Sequence, residues 1–402
     1  MQILLIETEA KGHYVNLYLK KIINEFLAKK VSLSLMTTRL VAFGKNNKFL
    51  LNNRIKKFYI TEIKKSKRKN LISQLVYQIK YYFNIKNNFS LITKDKNFDI
   101  VYVNTLDHFD KALSLFGSPF KKTSFYGFYN HIRFHLNRAK LSNFFFYIYE
   151  FLFIKILKLK DIKKIFILNN SIKQYLNRKN ILTYKLVKVN EAVDISYNSI
   201  DKNEINLFKK ENSLEEDDFI ILIYGSIRKE KGIDYLFKCL SNYIFTKKIK
   251  IIIAGNCEEE ILNKITNYKK KSGKFNFEII LFNYLINDKL QKIIFTLADL
   301  IWVGYEKYFF SSGVYYLAGF MGRPVIVNNK GFIYDLNKKY KIGVEADITN
   351  LKEVYKKINF IMSNGSKYYK KSFKNFTRYN KKNIFEKQIV NEILRNRNKI
   401  KI

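Results

Sequence analysis

The feature that most constrains this chain is an alternation that starts, stops and starts again. Short runs of aliphatic and β-branched residues recur: "QILLIE" (2–7), "VSLSLMTT" (31–38), "FDIVYVN" (98–104), "KTSFYGFYN" (122–130) and "KKIFILN" (163–169). Helical patterns such as "VNLYLKKIINEFLAKK" (15–30) separate most of them. Continuously apolar runs suit strands buried on both faces, and intervening helices suit the crossovers of a parallel sheet. Around 196–218 the texture turns polar, with "SYNSIDKNEINLFKKENSLEEDD". The alternation then restarts with "FIILIYGS", "GIDYLFKCLSNYI", "KIKIIIAGN", "FEIILFN", "ADLIWVGY" and "RPVIVNN". The expectation is two α/β units joined near residue 200. They would comprise residues 1–197 and 198–385, with a last helix in 386–402 crossing back to the first unit.

The chain is long enough for this, since 402 residues can bury two or three cores. With 47% apolar residues it reads as globular. Cys239 and Cys257 are too few for a disulfide framework or a structural zinc site, which points to a reducing compartment. The opening "MQILLIETEAKGH" lacks a basic n-region and a cleavage site, so no secretory leader is expected. No window holds eighteen uncharged apolar residues, so no membrane span is expected.

The formal net charge is +40. Lys, Asn, Ile, Tyr and Phe are all abundant, as a nucleotide-level A/T bias would produce, so part of the charge is drift on solvated faces. A field this basic still attracts nucleic acid, anionic head groups or phosphorylated substrates. The segment 142–160, "SNFFFYIYEFLFIKILKLK", is aromatic and ends in cations. It is read either as a helix buried against the sheet or as a helix in a membrane interface, with Lys155, Lys158 and Lys160 near the head groups.

Several chemistries are not supported. No phosphate-binding G-x-x-x-x-G-K-[ST] loop, no G-x-G-x-x-G turn and no G-x-S-x-G elbow is present. H-E-x-x-H, C-x-x-C and D-x-D are also missing, so neither a metal nor a cofactor is expected.

Three loops in the second unit follow strand ends, where open parallel sheets bind ligands. "GSIRKEKGID" (Gly225–Asp234) sets Arg228 and Lys231 between two glycines, just before a helix near Gly232. Backbone amides, a helix dipole and two cations suit a phosphate, and a solvated basic loop is the plain alternative. "IIIAGN" ends at Gly255 and taken alone is a strand with a tight exit. In "VGYEKYFFSSGVYYLAGFMGRPVI", Ser311, Ser312 and Gly313 open a helix running to about Gly319. An N-cap accounts for one serine. Two serines beside a glycine also fit an anion cradle.

The runs "GSIRKEKGIDYL", "ADLIWVGY", "SSGVYYLAGFMGRPVI" and "KYKIGVEAD", in this order, resemble the C-terminal half of GT-B glycosyltransferases of the large retaining group called glycosyl transferases group 1. The likeness covers about residues 219–347. The connector "VKVNEAVD" (187–194) is similar to the family's segment before its second domain. The N-terminal half resembles the family only in texture, through Gly12-His13 and "YNHIRF" (129–134).

The resemblance implies two Rossmann-like domains facing each other across a cleft (GT-B), and transfer of a sugar, of hexosyltransferase type, from a nucleotide-diphosphate sugar. It implies that Lys231 neutralises the diphosphate. Gly225, Ser226, Ser311, Ser312, Gly313 and Val314 would hold the donor, and His131 would face the sugar. Gly12 and His13 would form the loop beside the acceptor. Many members have Arg where this chain has Ser226, so Arg228 is expected to substitute. Counting back from Pro324, the family's paired Glu positions fall on Phe309 and Leu317; Glu306 is three residues early. His108 and His135 have no comparable context.

The function expected is therefore a cytoplasmic glycosyltransferase, at the inner face of the cell membrane, with a glycan or lipid-linked acceptor, in cell-envelope polysaccharide synthesis. An anionic membrane surface is the expected partner, and no specific nucleic acid is expected. Two other readings stay open: a degenerate scaffold that binds a sugar nucleotide without turnover, and a non-specific nucleic-acid binder suggested by "KKSKRK" (64–69).

Overall fold

The computed structural model describes residues 1–9, 14–44, 47–64, 70–130, 132, 134, 143–193, 200–270, 275–306, 308, 310–382 and 384–395. Among these residues, thirteen strands form two sheets. The first contains β1 (Gln2–Ile6), β2 (Ser32–Thr37), β3 (Ile55–Tyr59), β4 (Ile100–Val103), β5 (Ser124–Phe128), β6 (Ile162–Ile167) and β7 (Leu186–Lys188). Its spatial order is β3-β2-β1-β4-β5-β6-β7. The second contains β8 (Phe219–Tyr224), β9 (Ile249–Ala254), β10 (Phe277–Phe282), β11 (Leu300–Val303), β12 (Val325–Asn328) and β13 (Gly343–Ala346). Its order is β10-β9-β8-β11-β12-β13. Every pairing is parallel.

Each sheet is buried on both faces, as its continuous apolar strands require. In the first unit Leu4, Ile6, Val101 and Val103 face one core, and Ile3, Leu5, Tyr102 and Phe166 face the other. In the second unit Leu222, Ile252 and Val303 face one core, while Ile221, Ile251 and Trp302 face the other. Strands β3, β7 and β13 carry no continuous apolar run and escape the sequence pattern. All three are edge strands, which need to be apolar on less of their surface.

The chain divides into one unit of Met1–Ala192 with Asn383–Ile402, and a second of Val193–Lys382. Helix Phe385–Arg395 is part of the first because its apolar stripe is buried there. Phe385, Ile389, Val390 and Ile393 join the core that contains Tyr18 and Phe128. Gln388 Oε1 accepts from the Asn190 amide at 2.8 Å, and Glu386 lies 3.7 Å from Lys21.

The segment Asn143–Lys158 is a helix with two kinds of surface. Phe146, Phe153, Ile156 and Leu157 are buried, and Glu150 accepts from Tyr175 at 2.9 Å and from Lys179 at 2.6 Å. Tyr147 and Phe151 are exposed. Among the described residues no helix is long and apolar enough to cross a membrane.

Candidate functional site

Both sheets share one property that selects a place for chemistry. The chain builds outward from the first strand in one direction, then returns to build on its other side. In the second unit β8 is flanked by β9 and β11, so the switch point lies between β8 and β11. Crossovers leave in opposite directions there, and a crevice opens beyond the carboxyl ends of the two strands.

The loops leaving these strands are locked together through the backbone. Gly225 donates its amide to Ala254 at 2.9 Å, and Ile227 donates to Asn256 at 2.9 Å. Gly255 has φ +132°, and a Cβ there would stand 2.0 Å from the Gly225 carbonyl oxygen. A turn at Lys229–Lys231 leads to Gly232, in the left-handed region at φ +64°, where a Cβ would stand 2.2 Å from the Gly304 carbonyl oxygen. Helix Ile233–Asn242 starts from that point. The indole of Trp302, on β11, donates to the Lys231 carbonyl at 2.8 Å. The Glu306 amide donates to the Glu230 carbonyl at 2.8 Å.

This packing aims Lys231 into the protein. Its ammonium donates to the Tyr224 carbonyl at 3.0 Å and to the Tyr305 hydroxyl at 2.7 Å. It also sits 4.3 Å from the centroid of the Tyr305 ring, in cation–π range. No carboxylate lies within ion-pairing distance of it among the described residues. Burial pushes its pKa down to about 7, and the nearby Arg228 adds to that. Tyr305 is itself buried, which holds its phenol well above the usual range and protonated.

The Ser-Ser-Gly corner lies on the other side of Tyr305. Helix Gly313–Phe320 begins there with Ser312 as its flanking residue, yet Ser312 makes no capping bond. Its hydroxyl instead lies 3.3 Å from the Tyr305 hydroxyl. Ser311 Oγ is shielded from solvent and has no hydrogen-bond partner among the described residues. Neither serine is therefore spent on an N-cap. The first-turn amides of Gly313 and Val314 are those a helix cannot pair internally. A Cβ on Gly313 would meet nothing within 4 Å, so the space above it is open. A Cβ on Gly225 would lie 3.7 Å from Val314 and 3.9 Å from the Lys231 ammonium. The structure thus brings Gly225, Lys231, Ser312 and Val314 to one place. The arrangement is a cation, a helix N-terminus and an open floor, which together suit a phosphate group.

Ser226 and Arg228 are at the rim. Arg228 Nε donates to Ser226 Oγ at 3.0 Å and lies 3.9 Å from Glu258, with both charged side chains more than half exposed. Leu317, at one of the places where the family resemblance puts a carboxylate, packs against the core instead. Phe309, the other, lies outside the described residues. Tyr305 and Trp302 were not anticipated. The signal was there: the chain's one Trp sits two residues before a Gly, and that Gly has no room for a Cβ because the indole lies 2.5 Å away.

Gly12, His13 and His131 lie outside the described residues; they fall after β1 and β5 in the first unit. That edge also holds polar groups that form no motif in the sequence. Glu7 is buried just after β1 and accepts from Asn104 at 2.7 Å, Thr105 at 2.9 Å and the Glu9 amide at 2.8 Å. Burial raises its pKa. His108 acquires a context too: it is buried, with Nε2 3.7 Å from a Glu9 carboxylate oxygen. No group of three or more His, Cys, Asp or Glu among the described residues is arranged to hold a metal ion.

No protein-family model and no curated protein matches the chain. Solved structures do. A glycosyltransferase from Rickettsia africae superposes with a TM-score of 0.68, covering 98% of this chain and 97% of its own at 16% identity. HepE from Anabaena, solved with UDP, covers 98% of this chain and 100% of its own, with a TM-score of 0.66 and 12% identity. A sucrose-phosphate synthase from Thermosynechococcus elongatus covers 99% of each chain, with a TM-score of 0.68 and 11% identity. The chain has the GT-B fold. In GT-B terms the site just described belongs to the second Rossmann-like unit, at the switch point of its sheet.

Proposed function

We propose that the chain is a retaining glycosyltransferase that moves a sugar from a nucleoside-diphosphate sugar to an acceptor hydroxyl. The observation that carries this reading is Lys231. It is a largely buried cation with no carboxylate partner among the described residues, beside an open helix N-terminus at the sheet's switch point. Such a cation is complementary to a dianionic group arriving from outside.

In the reaction the bond between the anomeric carbon and the diphosphate oxygen breaks, and a bond to the acceptor oxygen forms on the same face. The acceptor proton passes to the departing diphosphate. Positive charge grows on the sugar ring and negative charge on the leaving group. Lys231 and the amides of Gly313 and Val314 stabilise that negative charge without reorganising. Arg228 supplies long-range attraction from the rim. The family resemblance, and nothing else, assigns His131 to the sugar and Gly12 and His13 to the acceptor side. A glycan or lipid-linked oligosaccharide of the cell envelope is the acceptor class, reached from the cytoplasmic face. The Anabaena neighbour's complex with UDP makes uridine donors the first to try. Incubating the protein with UDP-sugars and resolving the product's anomeric configuration by NMR tests the reading. A product of inverted configuration would overturn the retaining assignment.

A second reading is a binding protein without turnover. It is favoured by Leu317, since that position offers a core contact in place of a carboxylate. Binding of a donor with no transfer to any glycan acceptor would select it.

Two smaller predictions follow from the geometry. The free site releases the Lys231 proton near pH 7, and a bound diphosphate favours the protonated form. Binding therefore takes up a proton above pH 7, and UDP affinity falls by up to about tenfold per pH unit until the pKa of the complex is reached. Calorimetry in buffers of different ionisation enthalpy reads that uptake, and Lys231→Arg should abolish it. Arg228→Ala should weaken UDP binding only about two- to fivefold at low salt, because the guanidinium is exposed and screened.

A further inference from the structure

Among the described residues, every hydrogen-bond partner of the Lys231 ammonium is neutral: the Tyr224 carbonyl at 3.0 Å and the Tyr305 hydroxyl at 2.7 Å. An ammonium has no lone pair and can only donate. The Tyr305 oxygen therefore accepts from it. The phenol keeps its own proton, because burial holds the group far above its ordinary range. That proton needs an acceptor. Ser312 Oγ stands 3.3 Å away, and both side chains are buried. Once it accepts from Tyr305, the serine hydroxyl has its own proton left to give. Its helix does not use it, since Ser312 makes no capping bond.

The frame around these groups is fixed from both ends of Tyr305. Its backbone amide donates to the Val303 carbonyl at 2.8 Å, and its carbonyl accepts from Asn328, the last residue of β12, at 2.9 Å. Its ring packs edge-on against Tyr308 at 5.1 Å and lies 4.3 Å from the ammonium. Beyond Ser312 lies the open space above Gly313. An ionised phosphate oxygen only accepts hydrogen bonds. A serine hydroxyl serves it only by donating, yet a serine hydroxyl by itself can do either.

We propose that Tyr305 is a positioning residue that joins Lys231 to Ser312 in one hydrogen-bonded chain, ammonium to phenol to serine, ending on a phosphate oxygen of the donor. The proposal rests on the donor reading and adds to it the residue that orients its polar groups. The ammonium fixes the direction of every bond in the chain, so the last hydroxyl presents its proton and not its lone pairs. Hydrogen bonds aligned in this way polarise one another where water is excluded. Part of the cation's effect is thus carried to the helix N-terminus. A carboxylate in place of the phenol would accept from both neighbours, turning the serine lone pairs toward the ligand. The 3.3 Å separation is longer than the ~2.8 Å usual between hydroxyls. Bonds of this kind tighten when the ligand is in place.

Isothermal titration at pH 7 and fixed salt tests it. UDP, GDP, ADP and TDP are titrated into the parent. The one that binds most tightly is then titrated into Tyr305→Phe, Ser312→Ala, Ser312→Thr and the double variant Tyr305→Phe with Ser312→Ala. Phe keeps the ring and its contact with the ammonium, and removes only the hydroxyl. Tyr305→Phe and Ser312→Ala should each weaken binding about tenfold, the scale of one hydrogen bond to a charged group. The double variant should also lose about tenfold and not about a hundredfold, because either change breaks the same chain. Ser312→Thr, which keeps the hydroxyl, should restore most of the loss. A residue that only shaped the fold would lower the melting temperature without this coupling. The proposal is overturned if Tyr305→Phe or Ser312→Ala binds like the parent, if the double variant loses the product of the two single effects, or if Ser312→Thr is as weak as Ser312→Ala. If none of the four nucleotides binds the parent, the donor reading falls and this proposal with it. That outcome is read on the parent alone, so the two failures are told apart.

Discussion

Replacing Lys231 by Met is expected to lower sugar transfer about a hundredfold or more, the scale on which a preorganised electrostatic donor acts. The ammonium is the cation beside the open helix N-terminus, and two residues hold it: Tyr224 through its carbonyl, and Tyr305 through its hydroxyl and ring. The same change should not unfold the protein. A buried ammonium without a counter-ion costs stability, so Met in its place should raise the melting temperature. The pH dependence gives the sign. Below pH 7 the lysine is charged in both states, and the folded state bears the full cost of burial. Between pH 7 and the ordinary lysine pKa the folded protein releases the proton that the unfolded chain keeps, so the wild type gains stability as pH rises. The advantage of Lys231→Met should therefore be largest below pH 7 and shrink toward pH 10. Loss of activity together with a lower melting temperature would mean that Lys231 is a structural residue.

Gly255→Ala should produce the largest loss of stability of any single methyl added to the protein's described glycines in this region. The methyl would stand 2.0 Å from a backbone oxygen of Gly225, and φ of +132° strains any side chain. Neither atom can step aside, because the Gly225 amide is paired to Ala254. Strain and overpacking together cost about 3 kcal/mol or more. In a unit of this size that lowers the melting temperature by roughly 6–12 °C. Gly313→Ala is the matched contrast, because its methyl enters open space. Its unfolding should stay within about 0.5 kcal/mol of the parent, while UDP affinity drops as the methyl occupies the floor beneath the phosphate. Equal stability losses at the two positions would contradict the geometry assigned to the loops.

Much of this was legible in the sequence, for physical reasons. The buried strands announce themselves because a strand covered on both faces must be almost wholly apolar, as "FIILIY" is and as "IKIIIA" is apart from Lys250, whose charge Glu278 neutralises at 2.6 Å. Edge strands such as "IKKFY" are released from that requirement and vanish from the pattern. Lys231 and the Ser-Ser-Gly corner stand out in the sequence because each adjoins a glycine in a loop that follows a strand. Tyr305 does not, since a tyrosine after a strand says nothing about which loop it will support. The pairing of His108 with Glu9 depends on two loops ninety-nine residues apart meeting at one sheet edge, which no local spacing encodes. The serines illustrate a different limit. Ser312 stands where an N-cap is expected, yet its hydroxyl turns to Tyr305, a choice decided by tertiary packing alone.

The central claim is that the switch point of the second unit binds the diphosphate of a sugar nucleotide through Lys231. Isothermal titration of UDP, GDP, ADP and TDP into the parent protein and into Lys231→Met, at pH 7 and fixed salt, tests it most directly. Saturable one-site binding of at least one nucleotide to the parent is expected, with its loss in the variant while the variant stays folded. Binding of equal strength in both proteins, or no binding of any of the four to the parent, would contradict it.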